Sequence, residues 1–70
     1  MEQVQIHSEY IRLDAFLKFA GEAGTGGEAK ISITGGNVRV NGEICTQRGK
    51  KIRPGDTVET GGRAYAVTGI

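Results

Sequence analysis

Six cations fall between residues 30 and 53: Lys30, Arg39, Arg48, Lys50, Lys51 and Arg53, with Glu43 the one acid among them. That segment carries +5, whereas residues 1–29 carry −3 and residues 54–70 carry −1, so a net charge of +1 conceals a polarised chain. Clustered guanidinium and ammonium groups suit a polyanionic partner. On a nucleic acid they neutralise phosphates and supply affinity that does not depend on sequence. The densest run is Arg48-Gly49-Lys50-Lys51-Ile52-Arg53. Alternation along a strand would put Lys51 and Arg53 on one face, while a loop could present all four cations together. The bland alternative is a solvated loop that keeps the protein soluble. Lys30 and Arg39 could extend the patch from neighbouring elements.

A second anion-binding candidate is Thr25-Gly26-Gly27, just ahead of Glu28. Backbone amides at a helix start carry partial positive charge, and glycines allow a phosphate to approach closely. Glu28 opposes this, because its carboxylate competes for the same amides. The competing reading is a capped helix start with small residues for tight packing. The Gly-Lys-Ser/Thr ending of a nucleotide-binding loop is absent. Cys45 and His7 are a nucleophile and a base in principle, but no carboxylate is spaced to orient the histidine. Two such residues also fall short of the four ligands of a structural zinc site. No catalytic residue, metal or cofactor is therefore expected. The aromatics Tyr10, Phe16, Phe19 and Tyr65 form no evident platform for stacked bases, so recognition of shape and phosphate is expected instead.

The elements that must position these groups follow from pattern. Glu2 to His7 alternates polar and apolar residues, which predicts a strand with Val4 and Ile6 facing the core. Leu13, Phe16, Leu17 and Ala20 lie at helical spacing, predicting a helix over residues 10–20 that ends at Gly21. Thr25-Gly26-Gly27-Glu28 is a capping box, starting a second helix over about 26–34 with Ala29 and Ile33 inward and Gly35-Gly36 as its stop. Asn41-Gly42 predicts a two-residue hairpin turn with Val38, Val40, Glu43 and Cys45 on one face. Ile44 then shares the outer face with Arg39, unless a bulge near Glu43 turns it inward. Pro54-Gly55-Asp56 is a turn, and Gly61-Gly62 joins strands over 57–60 and 63–68 with Val58, Tyr65 and Val67 on one face.

The order Arg12-Leu13-Asp14, Leu17, Ala29, Ile33, Gly36, Val38-Arg39-Val40-Asn41-Gly42 and Pro54-Gly55-Asp56 resembles the RNA-binding domain named after ribosomal protein S4, also called the alpha-L motif. The resemblance spans about residues 10–60. It is closest to the short bacterial proteins that consist of this domain alone, through Thr25 to Lys30, Asn41-Gly42-Glu43 and Arg48-Gly49-Lys50-Lys51. Many such domains carry a Ser-Arg pair at the start of the second helix, whose arginine touches RNA. This chain has Thr25-Gly26-Gly27 there, so that contact does not carry over. The enzymes to which such domains are sometimes appended have no counterpart among these 70 residues.

The expected fold is α+β: one domain over residues 1–70, with a two-helix hairpin packed on a small, mostly antiparallel sheet. The resemblance implies a non-enzymatic protein that binds structured RNA, ribosomal or transfer RNA or a ribosome-assembly intermediate. Lys30, Arg39, Arg48, Lys50, Lys51 and Arg53 are the expected contacts. The alternative is a protein-interaction module associated with the ribosome or a nucleic-acid enzyme. A sulfur-carrier-like chain would need a C-terminal Gly-Gly, whereas this one ends Thr68-Gly69-Ile70. One cysteine permits no internal disulfide, and no apolar run approaches the ~20 residues of a membrane span. A cytoplasmic monomer without membrane attachment is therefore expected.

Overall fold

The computed structural model describes all 70 residues, and turn signals with alternating or helical patterning account for its elements other than the strands at Ile11–Arg12 and Lys51–Ile52. In chain order these are β1 (Glu2–Gln5), β2 (Ile11–Arg12), α1 (Leu13–Phe19), α2 (Gly26–Thr34), β3 (Val38–Val40), β4 (Glu43–Ile44), β5 (Lys51–Ile52), β6 (Thr57–Thr60) and β7 (Arg63–Thr68). Five strands form one sheet in the order β1-β7-β6-β3-β4, and β2 with β5 forms a separate two-stranded ribbon. β1 runs parallel to β7, and every other pairing is antiparallel. The α+β architecture with a mostly antiparallel sheet is as expected.

Turn chemistry sets the sheet's register. Asn41 and Gly42 both have positive φ (52° and 85°), the signature of a type I′ turn whose twist matches the flanking strands. Val40 therefore faces Glu43, and Arg39 faces Ile44, with no bulge between them. Ile44 consequently stays on the outer face, 57% exposed, which resolves its position. Gly61-Gly62 makes the second tight turn and pairs Val58 with Tyr65. The Pro54-Gly55 turn closes with the Asp56 amide donating to the Arg53 carbonyl at 3.0 Å.

One face of the sheet is apolar, and the helices cover it. Val38, Val40, Val58, Tyr65 and Val67 meet Leu13, Phe16 and Leu17 of α1 and Ala29 and Ile33 of α2 in one cluster. Phe16 is fully buried and meets Tyr65 edge-on, with ring centroids 6.0 Å apart. The Tyr65 hydroxyl donates to the Glu22 carboxylate, which satisfies its polar end inside the core. That bond first, and burial second, hold the phenol above its ordinary pKa.

The helix starts differ from each other. α2 begins at Gly26 as predicted, and Thr25 Oγ1 accepts from the Glu28 amide at 3.1 Å. The Glu28 carboxylate reaches one residue further back than a standard capping box and accepts from the Gly24 amide at 2.6 Å. α1 is shorter than its periodicity suggested. It starts at Leu13, because Ile11 and Arg12 are drawn into the ribbon with Ile52 and Lys51. No helix is long and apolar enough to cross a membrane.

Phe16 anchors both layers, so truncating it tests the packing directly. Phe16→Ala should cost about 3–5 kcal/mol, a large share of the stability a domain this small possesses. Urea unfolding followed by circular dichroism measures it. A loss below about 1 kcal/mol would show that the core does not depend on this ring.

Candidate nucleic-acid interface

The ribbon β2–β5 is where two distant parts of the chain are joined. Ile11 pairs with Ile52, and Arg12 pairs with Lys51. Ile52 is fully buried and Ile11 packs against the core, so the ribbon's inner side is pinned by apolar contact. Pairing then turns Arg12 and Lys51 outward on adjacent strands.

The start of α1 completes the junction. No side chain caps this helix at Arg12. Instead, the Leu13 amide donates to the Lys50 carbonyl at 2.8 Å and the Asp14 amide donates to the Arg48 carbonyl at 3.1 Å. The Ala15 amide donates to Asp14 Oδ1 at 2.8 Å. The basic loop's own backbone thus satisfies the orphan donors of the helix, which fixes the loop's shape. Within the loop, the Lys50 amide donates to the Gln47 carbonyl at 3.1 Å and closes a turn over Arg48-Gly49.

Asp14 does a second job. Its Oδ2 lies 3.1 Å from Arg12 Nη2 and 3.5 Å from Arg48 Nε. One carboxylate between two guanidiniums leaves a net positive charge and limits their mutual repulsion. The arginine side chains stay 55% and 44% exposed, so both still face solvent. On the other strand, Lys51 and Arg53 have no ion-pair partner and lie against the ring of Tyr10. Lys51 Nζ stands 4.8 Å from the ring centroid and Arg53 Cζ 5.9 Å from it. Arg12, Arg48, Lys51 and Arg53 therefore form one surface around the ribbon.

The remaining residues singled out from the sequence go elsewhere. Lys50 lines a cleft with Asn41, Glu43 and Gln47, and its charge acts on Asp56. Arg39 lies on the outer face of the sheet, opposite Glu59 in register, and donates to the Gly42 carbonyl at 3.3 Å. Lys30 is exposed on α2 without an ion-pair partner. Gly26 and Gly27 open α2, but the acid Glu28 shares their turn. His7 and Cys45 follow strands at opposite edges of the sheet. Four strand spacings, roughly 19 Å, lie between those edges, which rules out a nucleophile–base pair.

Two participants escaped the sequence reading. Arg12 fell within the helix expected over residues 10–20, yet it is extended and pairs with Lys51. Tyr10 belonged to the same predicted helix, and nothing near it in sequence announced two cations. The usable signal was the pair Ile11 and Ile52: two isolated apolar residues, each beside basic ones, that need burial.

Asp56 supports the site from behind. It accepts from the Arg53 amide at 2.8 Å and from Asn41 Nδ2 at 3.1 Å. Asn41 Oδ1 in turn accepts from the Thr57 amide at 2.9 Å, so the turn after β3 and the turn after β5 are tied together. Burial pushes the Asp56 carboxyl upward. The Arg53 amide, the Asn41 amide and the charges of Lys50 and Arg53 outweigh it and hold the pKa below its ordinary 3.8.

The sequence profile of the S4 domain matches residues 4–68. The probable ribosome maturation protein RlbA of Bacillus subtilis strain 168 is 41% identical over 59 residues, 84% of this chain and 83% of that protein. The putative RNA-binding protein YbcJ of Escherichia coli K12 is 36% identical over 58 residues, 83% of each chain. The solution structure of YbcJ, described as revealing an alpha-L motif involved in RNA-binding, superposes with a TM-score of 0.74 at 32% identity. It covers 97% of this chain and 87% of that one.

The depressed Asp56 value has a pH consequence. Its stabilisation is complete above the unfolded-state value near 3.8 and is lost as pH falls through the lower folded-state value. Urea unfolding between about pH 5 and pH 2 should show this acid limb, and Asp56→Asn should flatten it. Identical acid limbs in the two proteins would remove Asp56 from the account.

Proposed function

The chain belongs to the S4 domain family, and from that premise we propose that it binds structured RNA through the surface around the β2–β5 ribbon. One observation carries the proposal: Arg12, Arg48, Lys51 and Arg53 converge from two distant segments of the chain on one hydrogen-bonded junction. Their charges match phosphates, and a surface of fixed shape suits an A-form helix, whose recognition rests on phosphate and 2′-hydroxyl contacts. Arg12 and Arg48 bring planar forks that suit bidentate phosphate contacts, and Lys51 brings a point charge.

The partner class is ribosomal RNA, transfer RNA or a ribosome-assembly intermediate. The name of the Bacillus subtilis relative, a probable ribosome maturation protein, supports the ribosomal member of that set. The protein acts as a monomeric binding module in the cytoplasm, not as a catalyst. Lys50 and Lys30 serve as outlying contacts for a large RNA. Arg39 belongs to another face, and Glu28 disfavours a phosphate at Thr25-Gly26-Gly27. A second reading, a protein-interaction module, draws on Phe19 and Ile31, which stand 61% and 72% exposed on the helices.

With about three to four phosphates engaged, log K for an RNA duplex should fall with log salt at a slope of roughly −3. The pair Lys51→Glu and Arg53→Glu should weaken binding at least tenfold with circular dichroism unchanged. A flat salt response, or full affinity in the folded double variant, would move the assignment to the protein-interaction reading.

A further inference from the structure

Tyr10 is an exposed aromatic ring set in the middle of the basic surface, and phosphate neutralisation does not explain it. It is 40% exposed and directly precedes the ribbon strand Ile11–Arg12. Its backbone is held on both sides: the Ser8 hydroxyl donates to the Tyr10 carbonyl at 2.7 Å, and Ile11 is locked in the ribbon. Lys51 and Arg53 lie against the ring. A ring so placed loses little freedom on binding. The residue stays partly open to solvent, and the cations over the ring, Lys51 and Arg53, are able to hold phosphates.

We propose that Tyr10 is a stacking site for one unpaired RNA base, with Lys51 and Arg53 holding the phosphates that flank it. The inference rests on the RNA-binding reading and sharpens it. The ligand becomes a helical RNA interrupted by an unpaired nucleotide, since a base inside a continuous duplex offers no free face. Ring and cations act together: stacking is tolerant of base identity, whereas the flanking phosphates fix where the nucleotide enters. The same contacts between the cations and the ring that preorganise the free protein are weak enough, about 0.5–1 kcal/mol each at exposed sites, to rearrange when phosphates arrive.

The test uses two RNA duplexes that differ only in a single bulged 2-aminopurine. Wild-type protein should prefer the bulged duplex, and 2-aminopurine fluorescence should fall on binding as the base stacks. Tyr10→Leu should reduce affinity for the bulged duplex by about fivefold to 150-fold, the range of one base–aromatic stack. It should weaken binding to the continuous duplex far less, through the lost cation–ring contacts alone, and Tyr10→Phe should restore the preference. If Tyr10→Leu weakens both duplexes equally, the ring only props the cations, and the stacking site is overturned. Equal affinity of wild type for both duplexes overturns it as well while the RNA-binding reading stands. Salt-insensitive binding, or no binding to the bulged and the continuous duplex alike, overturns both.

Discussion

The interface depends on a two-residue stretch of backbone pairing. Ile11–Arg12 and Lys51–Ile52 are separated by most of the chain, yet they form one ribbon, and the first amides of α1 close on the carbonyls of Arg48 and Lys50. A ribbon this short has no independent stability. It exists because Ile52 is completely buried and because a helix start has donors that must be satisfied. The consequence is that helix α1, the basic loop and the core are fixed relative to one another, so the loop's cations are held in place by the same bonds that start the helix.

Holding cations together works against the fold, and the structure offsets this locally. Asp14 sits between Arg12 and Arg48, Tyr10 beside Lys51 and Arg53, and Asp56 behind Arg53. Each contact is modest at an exposed site, of the order of 1 kcal/mol or less. Together they keep the charges near one another without cancelling them. The acids that do most of this are also structural: Asp14 accepts from the Ala15 amide in the first turn of α1, and Asp56 bridges two turns. Their carboxylates are occupied by the fold, which leaves positive charge in excess at the surface.

Much of this was legible in the sequence because it depends on local rules. The Asn41-Gly42 and Gly61-Gly62 turns, the Thr25 cap and the helix stop at Gly35 are each set by a few adjacent residues, and the structure has them where the patterns put them. The inward faces of β3, β6, β7 and α2 followed from their periods of two and 3.6. The ribbon was not legible, because pairing across some forty residues leaves no local mark. Helical spacing of Leu13, Phe16, Leu17 and Ala20 hid the extended conformation of Ile11 and Arg12. For the same reason Arg12 and Tyr10 were missed, and Arg39 was grouped with residues from which the topology separates it. A charge count along the chain locates a basic segment. It does not say which side of a strand each cation leaves from.

The central claim is that RNA meets the ribbon and not the sheet. Mapping backbone amide chemical shifts during titration with an RNA duplex tests it most directly. The account predicts that the amides of residues 10–14 and 47–53 move, while those around Arg39, Glu59 and Ala64 on the outer sheet face stay put. Shifts concentrated on that outer face, with the ribbon silent, would contradict it.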